Sequence, residues 1–196
     1  MIKNKEEIEK IRKAGKILAE VLNILKEEAK IGVSLLELDA IAKKEILNKG
    51  GTPAFLNYFP YGAKKPYPNT LCASLNEIIV HGVPTDRKLK NGDVLKLDLG
   101  VIFEKFYSDS AITVAISEPA KEVSNLLKAT ELALMEGIKS AKAGNTLGDI
   151  GFAVQSVANK YGVSVIRGLG GHGIGLDLHE EPFIDNMGVP GKGLKL

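Results

Sequence analysis

Two aspartates and three histidines are the residues whose types and spacing could do chemistry in this sequence. Asp98 lies in Val94-Leu95-Lys96-Leu97-Asp98-Leu99-Gly100 and Asp109 in Phe106-Tyr107-Ser108-Asp109-Ser110-Ala111, two strand-like runs joined by a short turn. If that hairpin turns symmetrically at Phe103-Glu104, Asp98 and Asp109 are direct cross-strand partners, with Cβ atoms about 4.5–5.5 Å apart on one face. Two carboxylates so placed repel each other among the apolar neighbours Leu95, Leu97 and Leu99, and one or two divalent cations between them would relieve the repulsion. A register slip that turns them to opposite faces leaves two exposed acids instead, and no Asn-Gly turn fixes the register.

The histidines all stand beside glycine or acid, in Val80-His81-Gly82, Gly171-His172-Gly173 and Leu178-His179-Glu180-Glu181-Pro182. His172 and His179 are seven residues apart in glycine-broken chain, which is not the helical zinc pair of His-Glu-x-x-His, and different roles are expected of them. Gly168-Leu169-Gly170-Gly171-His172-Gly173 formally matches a dinucleotide fingerprint, but a helix must open there and Ile174 to Pro182 alternates and ends in proline. Nucleotide binding is therefore rejected, and the glycines are read as allowing the backbone close to a metal site or a peptide substrate. Cys72 sits in an apolar strand with no histidine nearby in sequence, so it reads as a small buried or pocket-lining residue rather than a nucleophile. No serine lies in a Gly-x-Ser-x-Gly elbow.

These groups need elements to position them. Ile8, Ile11, Ala14, Ile17, Leu18, Val21, Leu22 and Leu25 step by three and four, which predicts an amphipathic helix. Ser34 with Glu37 forms a capping-box pattern that opens a second helix through Leu47, ending at Gly50-Gly51. Pro53 to Pro68 reads as irregular chain, and Leu71 to Val80 and Asp93 to Ile116 read as strands. Helical periodicity returns from Lys121 to Ala141, and Thr146 with Asp149 opens a last helix to about Tyr161, before a strand-like Val163 to Ile166. An offset of 112 residues lays Lys30 to Leu38 over Lys142 to Ile150 and Gly50 over Gly162. That repeat predicts two related α-then-β halves about a pseudo-twofold axis with their strands meeting in a central sheet, the alternative being chance similarity between two capped helices. Only 34 residues follow Gly162, and Gly191 to Leu196 resembles the run-up to the first-half hairpin. The second half is thus expected to lack its last strands, within one domain whose halves span about 1–117 and 118–196.

Composition bounds the function. The 196 residues, 44% hydrophobic and 26% charged, can bury a core in one domain or two fused halves. With 26 Lys plus Arg against 24 Asp plus Glu, the net charge of +2 offers no drive for nucleic-acid or membrane-surface binding. The single cysteine cannot form an internal disulfide or a zinc cage, the N-terminus has no apolar leader, and no stretch nears the ~18 apolar residues of a membrane span. A cytoplasmic protein is expected.

Together, Leu71-Cys72-Ala73-Ser74-Leu75-Asn76-Glu77-Ile78-Ile79-Val80-His81-Gly82-Val83-Pro84, Asn91-Gly92-Asp93-Val94-Leu95-Lys96-Leu97-Asp98, Ser108-Asp109, Gly171-His172-Gly173-Ile174-Gly175 and His179-Glu180-Glu181-Pro182 resemble type I methionine aminopeptidases, in order and over essentially the whole chain. The resemblance implies the pita-bread fold, of α+β class with an antiparallel central sheet, and metal-dependent removal of the first methionine from nascent polypeptides whose second residue is small. By position it implies Asp98, Asp109 and His172 as metal ligands, with Asp109 bridging two divalent ions drawn from Co, Mn, Fe or Zn. It further implies His81 and His179 as catalytic and substrate-binding histidines, and Cys72, Tyr58 and Tyr67 as lining the methionine pocket. The family's two glutamate ligands, one of them the expected general base, fall beyond residue 196. The loop Phe59 to Pro66 is longer than the family's common form, and Leu178 stands where an aromatic is often found. A monomer is implied, with nascent N-termini and the ribosome as partners. The alternatives are a proline-specific peptidase of the same fold, or a non-catalytic peptide- or ribosome-binding member if the chain ends at Leu196.

Overall fold

Side-chain capping boxes open helices at Asn4, Ser34 and Thr146. The computed structural model describes residues 2–59 and 62–196; Pro60 and Tyr61, in the loop noted above for its length, lie outside the described residues. The chain divides into two units, one comprising residues up to Pro119 together with Ile174–His179, the other Ala120–Gly173 together with Glu180–Leu196. In the first unit α1 (Lys5–Glu28) begins earlier than the apolar periodicity shows, because Asn4 and Glu7 form a reciprocal capping box. The predicted Ser34–Glu37 box opens α2 (Leu35–Asn48): the Ser34 backbone N–H donates to the Glu37 carboxylate at 2.7 Å, and the Glu37 N–H donates to Ser34 Oγ at 3.2 Å. Each such cap contributes about 1 kcal/mol.

The sheet of this unit contains β1 (Thr52–Pro53), β2 (Leu71–Leu75), β3 (Val94–Phe103) and β4 (Phe106–Ala115), all antiparallel. β3 is the centre: β4 pairs along one edge, and β2 and β1 follow each other along the other. Burial alternates along β3 as far as Leu99, after which Gly100 and Val101 are both buried. Leu95, Leu97, Leu99 and Val101 are fully buried in a core with Leu18, Val21, Leu22 and Leu25 of α1 and Leu38, Ala42 and Ile46 of α2. Burying each such side chain stabilises the unit by about 1.5–3 kcal/mol. Lys96, Asp98, Gly100 and Ile102 therefore point to the opposite face.

Two expectations are corrected here. The strand predicted over Leu71 to Val80 stops at Leu75, because Asn76 turns the chain with φ +51° and its side chain accepts from Val94 N–H and donates to Asp93. Ile78, Ile79 and Val80 are left exposed. The β3–β4 hairpin turns at Glu104-Lys105, both with positive φ, rather than at Phe103-Glu104, so Asp98 faces Ala111 and Asp109 faces Gly100. Positive φ at both central residues is what a tight hairpin turn compatible with strand twist requires, and here it is met without the usual Asn or Gly.

The second unit holds α3 (Lys121–Ser140), α4 (Leu147–Lys160) and a ladder of β5 (Gly170–Gly173) with β6 (Glu180–Asp185). Val163 to Ile166 is not a strand, and the described strands form two separate ladders. The bounds of α4 are those of α2 displaced by 112 residues at both ends. The duplication extends to the caps. Leu35, Leu36 and Gly32 donate backbone hydrogen bonds to Arg87, Thr85 and Leu89; Leu147, Gly148 and Gly144 donate the equivalent ones to Leu194, Lys192 and Leu196. Lys192 to Leu196 thus meets its helix cap as Thr85 to Leu89 does, in keeping with the resemblance read in the sequence.

Candidate active site

Asp98 and Asp109 remain on one face of the sheet. The hairpin shift moves the pairing by two positions, which preserves the face and makes them diagonal rather than direct neighbours, a spacing at which side chains still reach each other. Their carboxyl groups share a hydrogen bond, and burial first, then the charge of Asp109, raises Asp98 well above the ordinary carboxylate range. Such a pair holds a proton in common or accommodates a cation.

Cys72 is the direct partner of Asp98 on β2, so the thiol stands on the same face. Asp39 of α2 anchors the start of that strand, accepting from Asn69 Nδ2 at 2.8 Å, Thr70 N–H at 2.9 Å and Leu71 N–H at 2.8 Å. Burial pushes the Cys72 thiol up to about 12, so it stays protonated, as expected of a lining residue. Around it gather Ala54, Phe55 and Leu178, all buried, with Tyr58, Tyr67, Ile102 and Tyr107 against them. The three pocket residues implied by the resemblance, Cys72, Tyr58 and Tyr67, therefore lie in one apolar cluster beside the aspartates. Leu178 fills the position of the missing aromatic, carried there by a segment that β4 holds through Tyr107 N–H to Gly175 O at 2.8 Å.

Gly100 lets this cluster close over the sheet. A Cβ there would lie 2.7 Å from Phe55 Cε1 and 2.8 Å from Ala54 Cβ. Sequence reasoning missed Gly100, Phe55 and Asp39. A glycine inside an apolar strand is a signal of close approach and could have been read as one; an acid within a capped helix carries no comparable signal.

The histidines are held in three different ways. His179 is exposed and its Nδ1 is 2.9 Å from Tyr58 Oη, with the rings 5.6 Å apart. His81 is exposed and left-handed, with φ +57°. In the second unit, His172 stands opposite Phe183 in the β5–β6 ladder, where the register is irregular, and its Nδ1 lies 2.8 Å from Gly173 O. A carbonyl only accepts, so Nδ1 is the donor in that contact. No helix opens after Gly168–Gly173, where the alternating run to Pro182 predicted none.

Among the described residues no group of three or more His, Cys, Asp or Glu side chains comes together as a metal site. The first unit supplies the aspartate pair, and its donor chemistry fits a divalent cation: hard carboxylate oxygens whose mutual repulsion a positive charge would relieve. Among the described residues no helix is long and apolar enough to cross a membrane.

Proteins of known activity share this sequence and fold. A methionine aminopeptidase of Aquifex aeolicus is 46% identical over 184 residues, which cover 93% of this chain and 71% of the relative. One of Clostridium perfringens is 41% identical over 196 residues, covering 100% of this chain and 76% of the relative. The crystal structure of methionine aminopeptidase from Rickettsia prowazekii superposes with a TM-score of 0.94 at 37% identity, covering 100% of this chain and 77% of that one. The α+β architecture is thus the pita-bread fold of these enzymes. Residues 9–196 match metallopeptidase family M24, and with an aspartate pair beside an apolar cluster on one sheet face, the chain belongs to that family of divalent-metal peptidases.

Proposed function

We propose that this protein removes the N-terminal methionine from polypeptides in a metal-dependent reaction, acting on nascent chains whose second residue is small. One observation carries the reading: the Asp98–Asp109 pair and the Cys72–Tyr67–Phe55 cluster occupy the same face of one sheet. A thioether side chain suits a pocket of sulfur and aromatic rings, because it is flexible and polarizable.

In the first unit Asp98 and Asp109 would hold the metal, and two ions are proposed, of Mn, Co, Fe or Zn. When bound, they would supply a water activated at neutral pH and polarise the scissile carbonyl. The chain's own groups do the rest. The apolar cluster takes the methionine side chain and excludes water from its stem. Tyr58 orients the His179 imidazole, and His179 and His81 donate toward the carbonyl oxygen as negative charge develops there. Holding the free amino terminus beside the carboxylates would bring the first peptide bond to the metals, which makes the reaction an exopeptidase cleavage.

The assay is methionine release from Met-Ala-Ser with Mn or Co, against Met-Leu-Ser and Ala-Ala-Ser. Release from the first alone, abolished by Asp109→Asn, is expected; equal cleavage of all three, or an active Asp109→Asn, refutes the reading. A monomer in the cytoplasm that meets its substrates at the ribosome accords with the same proposal. Sedimentation and co-fractionation with ribosomes test those points.

A further inference from the structure

The left-handed backbone of His81 is costly for a residue with a Cβ, of a kind that persists only when its surroundings over-determine it. The next residue shows what determines it. Gly82 is buried and pinned from both sides of its peptide unit. Its N–H donates to Ser74 Oγ at 2.9 Å, and its C=O accepts from Ala73 N–H at 2.8 Å and Tyr67 Oη at 3.1 Å. Its Cα lies so close to β2 that a Cβ would stand 2.5 Å from Ala73 O and 2.7 Å from Ser74 Cα. The Ser74 side chain is 1% exposed and stands opposite Lys96, on the face that carries Cys72 and Asp98.

Serine is poorly suited to a strand interior, and a buried hydroxyl must find a partner to avoid a desolvation penalty. Ser74 finds it in the Gly82 N–H, beside the point where the Gly82 C=O takes the Ala73 N–H of β2. The hydroxyl thereby ties an exposed histidine, eight residues from the strand's centre by contour but adjacent in space, to the sheet that carries the aspartates. We infer that Ser74 is a positioning residue for His81: its buried hydroxyl, acting through the Gly82 N–H, holds the His81 backbone left-handed and so aims the imidazole. The inference rests on the proposed role of His81 and deepens it. Ser74 touches neither substrate nor metal; it acts through the Gly82 peptide.

Two readouts test it, one independent of activity. In the unmodified protein, solution NMR should show the strong intraresidue HN–Hα cross-peak that positive φ gives at His81, and a Gly82 amide protected from exchange. Ser74→Ala should weaken the first and expose the second, while Ser74→Thr, which keeps the hydroxyl, restores both. In methionine release, Ser74→Ala should lower kcat about tenfold with KM within about twofold, since an unpaired buried N–H costs on the order of one such factor. In a His81→Ala background the same substitution should cost nothing further. Absence of the left-handed signature in the unmodified protein overturns the inference even if Ser74→Ala does not fold, and additive losses in the double variant overturn it too. If His81→Ala alone leaves release unchanged, the role of His81 fails and the inference falls with it; if His81→Ala slows release while Ser74→Ala does not, only the inference fails.

Discussion

Gly100→Ala is the substitution whose consequence can be worked most directly from the structure. The new methyl would lie 2.7 Å from Phe55 Cε1 and 2.8 Å from Ala54 Cβ, where carbon atoms pack at about 3.5–4.0 Å. Phe55 and Ala54 must retreat by about 1 Å, and neither can do so freely. Both are buried, and the Ala54 N–H donates to Gly100 O at 3.0 Å, tying that segment to the strand it must leave. Overpacking of this kind costs about 1–3 kcal/mol. For a chain of this size each kcal/mol moves Tm by about 2–4 °C, so the first unit should melt about 2–12 °C lower. The displaced ring belongs to the proposed methionine pocket, so KM for Met-Ala-Ser should rise several-fold while the metal dependence of kcat is kept. Differential scanning calorimetry and initial-rate kinetics provide both readouts. An unchanged Tm together with an unchanged KM would show that Phe55 neither packs on Gly100 nor bounds the pocket.

Other outcomes follow from the same geometry. Asp109→Asn removes one of two repelling, partly buried carboxylates, so the metal-free protein should melt higher than the parent. The parent should gain about 2.7 kcal/mol from Mn at a hundredfold excess over Kd, and the variant should gain almost nothing; equal metal responses by thermal shift would refute the assignment of the pair. Asp93 is opposed by its burial but held below the ordinary carboxylate range by hydrogen bonds from Asn76 and the Lys90 N–H and by the charge of Arg87, 3.1 Å away. A carboxyl depressed in the folded state contributes stability that is present above its unfolded value near 3.9 and is lost as pH falls through its folded value. Asp93→Asn should therefore cost about 1.5–3 kcal/mol at neutral pH and flatten the loss of stability below about pH 4 in urea titrations; an unchanged acid limb would contradict this.

The helices were legible because each is written locally. Ser34 with Glu37 and Thr146 with Asp149 mark starts that need no tertiary information, and the 112-residue offset between those caps survives in the observed bounds of α2 and α4. Asn4 with Glu7 carried the same signal four residues before the first periodic apolar position and marks the true start of α1. Strand ends were less legible. Ile78, Ile79 and Val80 look like strand by composition, but Asn76 turns the chain first to meet Asp93 and Val94, contacts seventeen and eighteen residues away. The hairpin register was open for a related reason, since Glu104 and Lys105 adopt positive φ without a residue type that announces it. The site survived the error because its shift of two positions keeps Asp98 and Asp109 on one face. What sequence could not give was closeness: Gly100 under Phe55, Gly82 against Ala73, and Asp39 beneath Leu71 are contacts between distant segments.

The central claim is that the aspartate pair and the sulfur-and-aromatic cluster form one site, metal on one side and methionine on the other. A crystal grown with Mn and L-methionine tests it by anomalous scattering at the Mn edge. The account predicts an anomalous peak between the Asp98 and Asp109 carboxylates and a methionine thioether lying against Cys72 and Tyr67. A peak away from that pair, or methionine bound elsewhere with the cluster closed, would contradict it.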